Sequence, residues 1–151
     1  MPVKSFRGKI SKGEFDTIIL HTNTGSTGYK IKKFELMSGT PHASDQEAVV
    51  KIYSIDNAEV QTPTLTVDFN DNTLLAAGLL TNETDSKYYP PSTSIVFDNI
   101  AFNQDIYVAY TDTHGSGTIN YYIELEQVKL DINENTVATL KDIRNIEASI
   151  V

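Results

Sequence analysis

Apolar and polar residues alternate with a period of two over much of this chain. The longest such run is TINYYIELEQVKL (118–130), where Ile119, Tyr121, Ile123 and Leu125 fall on one side and Asn120, Tyr122, Glu124 and Glu126 on the other. A helix advances about 100° per residue and would scatter both sets, so the segment reads as a strand with one buried face. EAVVKIYSI (47–55) sets Ala48, Val50 and Ile52 against Val49, Tyr53 and Ile55. Both sides are apolar, which predicts a central strand. TLTVDF (64–69) puts Leu65, Val67 and Phe69 opposite Thr64, Thr66 and Asp68 and reads as a half-buried strand. QDIYVAYTD (104–112) turns Ile106, Val108 and Tyr110 inward.

Further strands are expected at Val3–Ile10, Phe15–His21, Gly28–Met37, Thr73–Thr81 and Ser94–Phe97. In Gly28–Met37 the alternation slips between Ile31 and Phe34, which predicts a β-bulge. TNTGSTG (22–28) and DTHGSG (112–117) offer residues suited to positive φ, hence hairpin turns. NDN (70–72) and the stretches 37–46 and 81–93 read as surface loops. Near the C-terminus the period changes: Val137, Leu140, Ile143 and Ile146 recur every three residues, with Asn135 or Thr136 able to cap. Nine or so strands and this element predict an all-β fold. The expectation is one domain over 1–151, a β-sandwich of jelly-roll type with one short C-terminal helix.

Composition narrows the function. No run of eighteen apolar residues exists, and MPVKSFRGKISKGEF lacks an apolar core of signal-peptide length, so neither a membrane partner nor export is expected. The chain contains no cysteine, which removes disulfides, thiolate catalysis and cysteine metal sites. A net charge of −8 argues against coating nucleic acid. The charge is uneven. Up to Lys33, seven basic residues (Lys4, Arg7, Lys9, Lys12, Lys30, Lys32, Lys33) stand against Glu14 and Asp16, a balance of +5; the rest carries five basic and eighteen acidic residues, or −13. That asymmetry fits two faces of opposite potential suited to docking, and equally a set of solvated lysines on outer strands.

Reactive constellations are missing. His21, His42 and His114 show no metal-ligand spacing, and Ser44 near His42 and Asp45 is only a sequence neighbour. Gly115-Ser116-Gly117 lies between strands with no helix to present its amides to a phosphate. Asp68, Asn70 and Asn72 begin like a calcium loop, but Thr73 stands where glycine is needed and Leu79 where glutamate is needed. A turn held by side-chain hydrogen bonds is the better reading. Glu124 and Glu126 lie on one strand face, whereas glycosidase carboxylates oppose each other across a cleft. Asn82-Glu83-Thr84 matches a glycosylation acceptor by chance. The expectation is a non-enzymatic protein with no catalytic residue, no metal and no cofactor.

The phrases FDNIAFNQDIYVAYTD, NYYIELEQVKLD and NENTVATLKDIRN, within Thr64 to Asn145, resemble small accessory structural proteins of tailed bacteriophages, particularly marine ones. The resemblance implies a virion protein made in the host cytoplasm, a capsid decoration or cement protein on the phage head. Its partners would be the major capsid protein or other virion proteins, and it would form a homo-oligomer, trimer or dimer. On that reading Met1–Arg7 is an arm, and Lys4, Arg7, Lys30, Lys32 and Lys33 dock on an acidic shell. Tyr88 and Tyr89, with Tyr107 and Tyr122, are aromatic contacts. Two rival classes are a receptor- or glycan-binding module of a phage fibre, using loops 81–93 and 112–117, and a carbohydrate-binding or hydrolytic jelly roll.

Overall fold

The computed structural model describes residues 2–20, 25–41, 43, 45–82, 92–114 and 117–130. Among them are eight strands and one helical turn: β1 (Val3–Ser11), β2 (Phe15–Ile18), β3 (Thr27–Ser38), β4 (Gln46–Tyr53), α1 (Ala58–Gln61), β5 (Leu74–Asn82), β6 (Ser92–Phe97), β7 (Ile106–Asp112) and β8 (Thr118–Lys129). They form two antiparallel sheets, one ordered β1-β8-β3 and the other β2-β7-β4-β5-β6. The apolar faces of the two sheets share one core.

Strict alternation explains the centre of that core. Ile119, Tyr121, Ile123 and Leu125 of β8 are buried with Ala48, Val50 and Ile52 of β4 and Ile106, Val108 and Tyr110 of β7. Each fully buried isoleucine or leucine contributes about 1.5–3 kcal/mol over its exposed state. In β3 the register shifts between Ile31 and Lys33, so Lys32 is the extra residue. That bulge is the expected slip, and it keeps both Ile31 and Phe34 inside. A Cβ on Gly78 would lie 2.7 Å from Leu36 Cδ1 and 3.0 Å from Ile95 Cδ1. Glycine is what lets β3 press so close to β5.

Three expectations are corrected. TLTVDF is not a strand. It belongs to the connection 54–73 between β4 and β5, which crosses the outward face of the five-stranded sheet. β4 already has β7 on one side and β5 on the other, so a segment passing over its face has no open edge to pair with. The glycine-rich turns are not hairpins. The 112–117 segment carries the chain from β7 in one sheet to β8 in the other, and the stretch after β2 likewise changes sheets to reach β3. Turn residues reveal that a chain reverses, but not which ladder it rejoins. Nor is the start of the chain an arm: from Val3 onward β1 pairs with β8, Val3 beside Glu126 and Arg7 beside Tyr122. Finally, the structure has a helical turn that periodicity did not predict, at Ala58–Gln61, whereas the predicted helix near Val137–Ile146 lies outside the described residues.

Candidate interaction surface

The outward face of the five-stranded sheet is set by the residues that alternate with the core positions. These are Val49, Lys51 and Tyr53 on β4, Ala77 and Leu79 on β5, and Ser94 and Val96 on β6. Lys51 is the charged exception, and its side chain is wholly buried. Its Nζ donates to Glu59 Oε2 at 2.7 Å and to the Thr66 carbonyl at 2.7 Å, and it lies 6.0 Å from the Tyr53 ring centroid. This buried ammonium fastens the connection 54–73 to the sheet.

Local chemistry fixes the rest of that connection. Asn57 caps α1 by accepting from the Val60 amide at 3.0 Å, and Val60 packs against Tyr53 and Leu74. Glu59 accepts from the Thr64 hydroxyl at 2.9 Å. Burial alone would raise the Glu59 carboxyl, but hydrogen bonds from Lys51 and Thr64 outweigh it and hold the group below its ordinary range. Asp68 accepts from the Asn70 amide at 2.9 Å, and Asp71 from the Thr73 amide at 2.8 Å and hydroxyl at 2.6 Å. These carboxylates are occupied by their own turns, as expected. Among the described residues, no group of three or more His, Cys, Asp or Glu is placed to hold a metal ion.

Glu59 and the Thr66 carbonyl turn inward to Lys51, and the connection leaves its apolar side chains out. Leu65 is 48% exposed, Val67 41% and Phe69 69%, beside Leu79 at 45% and Val96 at 51%. Together they form an apolar ledge. One groove of about 330 Å³ runs between Val49, Leu65, Val67, Leu79 and Val96; another of about 290 Å³ runs between Phe69, Leu75, Phe97 and Asp98. Large apolar side chains clustered in solvent mark contact surfaces more often than singly scattered ones do. Sequence reading places Leu65, Val67 and Phe69 indoors. The available signal was Lys51, a charge in the middle of an apolar strand, which needs a polar segment laid over it.

The predicted basic site is distributed differently. The outward face of the other sheet carries Arg7 and Lys9 on β1, then Asn120, Tyr122, Glu124 and Glu126 on β8, then Lys30, Lys33 and Glu35 on β3. Lys30 is paired in register with Glu126, and Lys33 with Glu124. Lys33 also lies 3.6 Å from Glu35 and 5.9 Å from the Tyr122 ring centroid. The acidic strand thus runs between the two basic ones, so the charge asymmetry of the sequence does not become a basic face on this sheet. Lys4 alternates to the other side of β1, beside Leu125 in register, and lies 5.6 Å from the Tyr29 ring centroid. Arg7, Lys9, Met37, Asn120 and Tyr122 line a shallow groove of about 590 Å³. Tyr107 is half-buried beside Val60 rather than freely exposed, and its phenol is raised by burial and then by Asp105 and Asp56. Tyr88 and Tyr89 lie outside the described residues, as do His21, His42 and Ser44. Asn82 is 2% exposed.

One end of the sandwich holds a buried polar network. Tyr110 donates to Asp112 at 2.6 Å, Gln46 Nε2 donates to the Thr118 carbonyl at 2.8 Å, and Ser38 bonds Gln46 Oε1. Asp112 also accepts from the Glu47 and His114 amides, each at 3.0 Å. Burial and then the Asp112 hydrogen bond push the Tyr110 phenol far up, so it stays protonated and donates. Tyr121 behaves alike towards Asp16 at 3.0 Å. The donors and acceptors satisfy one another, which suits holding loops in place. Comparison of the chain with protein-family models, curated proteins and solved structures finds no match.

Proposed function

We propose that this chain is a non-enzymatic structural subunit that docks on a larger protein assembly. With the phage-like phrases of its second half, we read that assembly as a virion head, built in the host cytoplasm, which the protein decorates or cements in many copies. One observation carries the reading: the apolar ledge of Leu65, Val67, Phe69, Leu79 and Val96, held out in solvent by a connection whose polar groups are spent on Lys51 and its own turns. An interface core is depleted in charge and rich in such side chains. The lysines of β3 are poorer candidates, because Glu124, Glu126 and Glu35 already stand beside them.

The strand pairing also supports a jelly roll, in which one long antiparallel hairpin is rolled up. β1 with β8, β2 with β7 and β4 with β5 are pairs of that kind. β6 departs from it by bonding to β5, although β3 packs against it.

The test adds purified protein to undecorated heads and measures occupancy. Saturable binding is expected, together with a loss of about tenfold or more in affinity for Phe69→Asp, which would bury a charge at the contact. No binding at micromolar concentration, or full binding by Phe69→Asp with Val67→Asp, would overturn the reading.

A further inference from the structure

We propose that β6 is a self-pairing edge, through which two copies of the chain join their five-stranded sheets about a two-fold axis. Among the described residues the two sheets end on four edge strands, β1, β3, β2 and β6. Three of them are blunted by the usual devices. β1 carries Lys4, Arg7 and Lys9; β3 carries Lys30, Lys32, Lys33 and Glu35 together with its bulge; β2 is four residues long with Asp16 inside it. β6 has none of these. Ser92–Phe97 (STSIVF) contains no charge and no proline, and no residue of it is buried, with Val96 51% and Phe97 40% exposed.

The backbone direction of β6 follows from one hydrogen bond. The Asp98 amide donates to the Leu75 carbonyl at 3.2 Å, continuing the register in which Phe97 faces Ala76. An antiparallel ladder alternates, so Ser92, Ser94 and Val96 turn their amides and carbonyls to β5, while Thr93, Ile95 and Phe97 turn theirs to the open edge. Among the described residues, no backbone group is bonded to that edge.

A second copy is the occupant this chemistry suits. A two-fold axis beside Ile95 sets Ile95 against its own copy, Thr93 against Phe97 and Ser94 against Val96, so all three outward amides and carbonyls find partners. No charge opposes a like charge along the strand, even though each chain carries −8 overall. On the outward face the Val96 side chains of the two copies come to either side of the axis, and the apolar ledges become one surface. The pairing rests on the edge's own composition and holds whether or not the chain decorates a head.

Sedimentation across a concentration series, with amide exchange read at Thr93, Ile95 and Phe97, tests it. The expected result is a species of twice the 16.7 kDa chain mass, slow exchange at those amides in the dimer, and fast exchange on dilution to monomer. Thr93→Pro removes an outward amide from each copy and is tolerated at an edge. It should weaken dimerisation about tenfold or more. Should it fail to fold, Val96→Lys places like charges beside the axis and serves the same purpose. A protein monomeric throughout overturns the proposal. So does slow exchange at these amides in a monomer, which would assign the edge to another part of the same chain, and so does a dimer indifferent to both substitutions. A Thr93→Pro monomer that still binds heads leaves the proposed function standing; a wild-type dimer that ignores heads removes that function and leaves the pairing.

Discussion

Residues 119–125 and residues 65–69 alternate in the same way, yet one segment is the middle strand of a sheet and the other pairs with no strand among the described residues. In the first, Ile119, Ile123 and Leu125 are completely buried. In the second, Leu65, Val67 and Phe69 are all exposed. The difference lies in what each segment can reach. β8 lies between two strands that each offer an open edge, whereas 65–69 is laid across β4, whose edges are taken. Period-two patterning says which side chains share a side; hydrogen-bonding partners decide whether that side becomes interior.

The sharpest way to break this contrast is to put a carboxylate in each segment. Ile123→Asp places an unpaired charge in the core and should cost about 4 kcal/mol or more, enough to unfold a marginal domain. Val67→Asp should change stability by less than about 0.5 kcal/mol. Urea denaturation followed by circular dichroism measures both. Equal losses would mean that 65–69 is also interior.

A smaller effect is expected where the connection is pinned. Lys51→Met keeps the bulk but leaves the Thr66 carbonyl without its donor and Glu59 without its cation. The expected loss is about 1–3 kcal/mol, with faster proteolysis within 62–73 while the core strands stay protected. Protease mapping of the folded variant reads this directly.

Smaller still is the pH response of the same clamp. The Glu59 carboxyl is held below its ordinary value, so its contribution is complete above about pH 4.5, the unfolded value, and fades as pH falls through the lower folded value. The stability gap between wild type and Glu59→Gln should therefore shrink on acidification. At neutral pH it should be no more than about 1 kcal/mol, since the carboxylate is partly in solvent. A gap that widens in acid would contradict the assignment.

Much of the architecture is legible before any coordinates. The inward faces of β4, β7 and β8 and the bulge of β3 follow from side-chain periodicity, because each of these strands buries one or both faces. The sheet order is not legible, since Gly115 and Asn23 signal a reversal without naming the neighbour. For the same reason the charge asymmetry along the chain misleads. Glu124 and Glu126 are distant in sequence from Lys30 and Lys33 and adjacent to them in the sheet. The apolar ledge is hidden behind a pattern identical to that of a buried strand, and β6 is visible as a strand but not as an unprotected edge. Both depend on long-range pairing, which a local window cannot contain.

Amide hydrogen exchange on the dilute, monomeric protein compares the two alternating segments in a single experiment. Amides 119–125 are expected to exchange at least about a thousandfold more slowly than those of 65–69. Comparable protection of both segments would make TLTVDF part of a ladder and contradict the account.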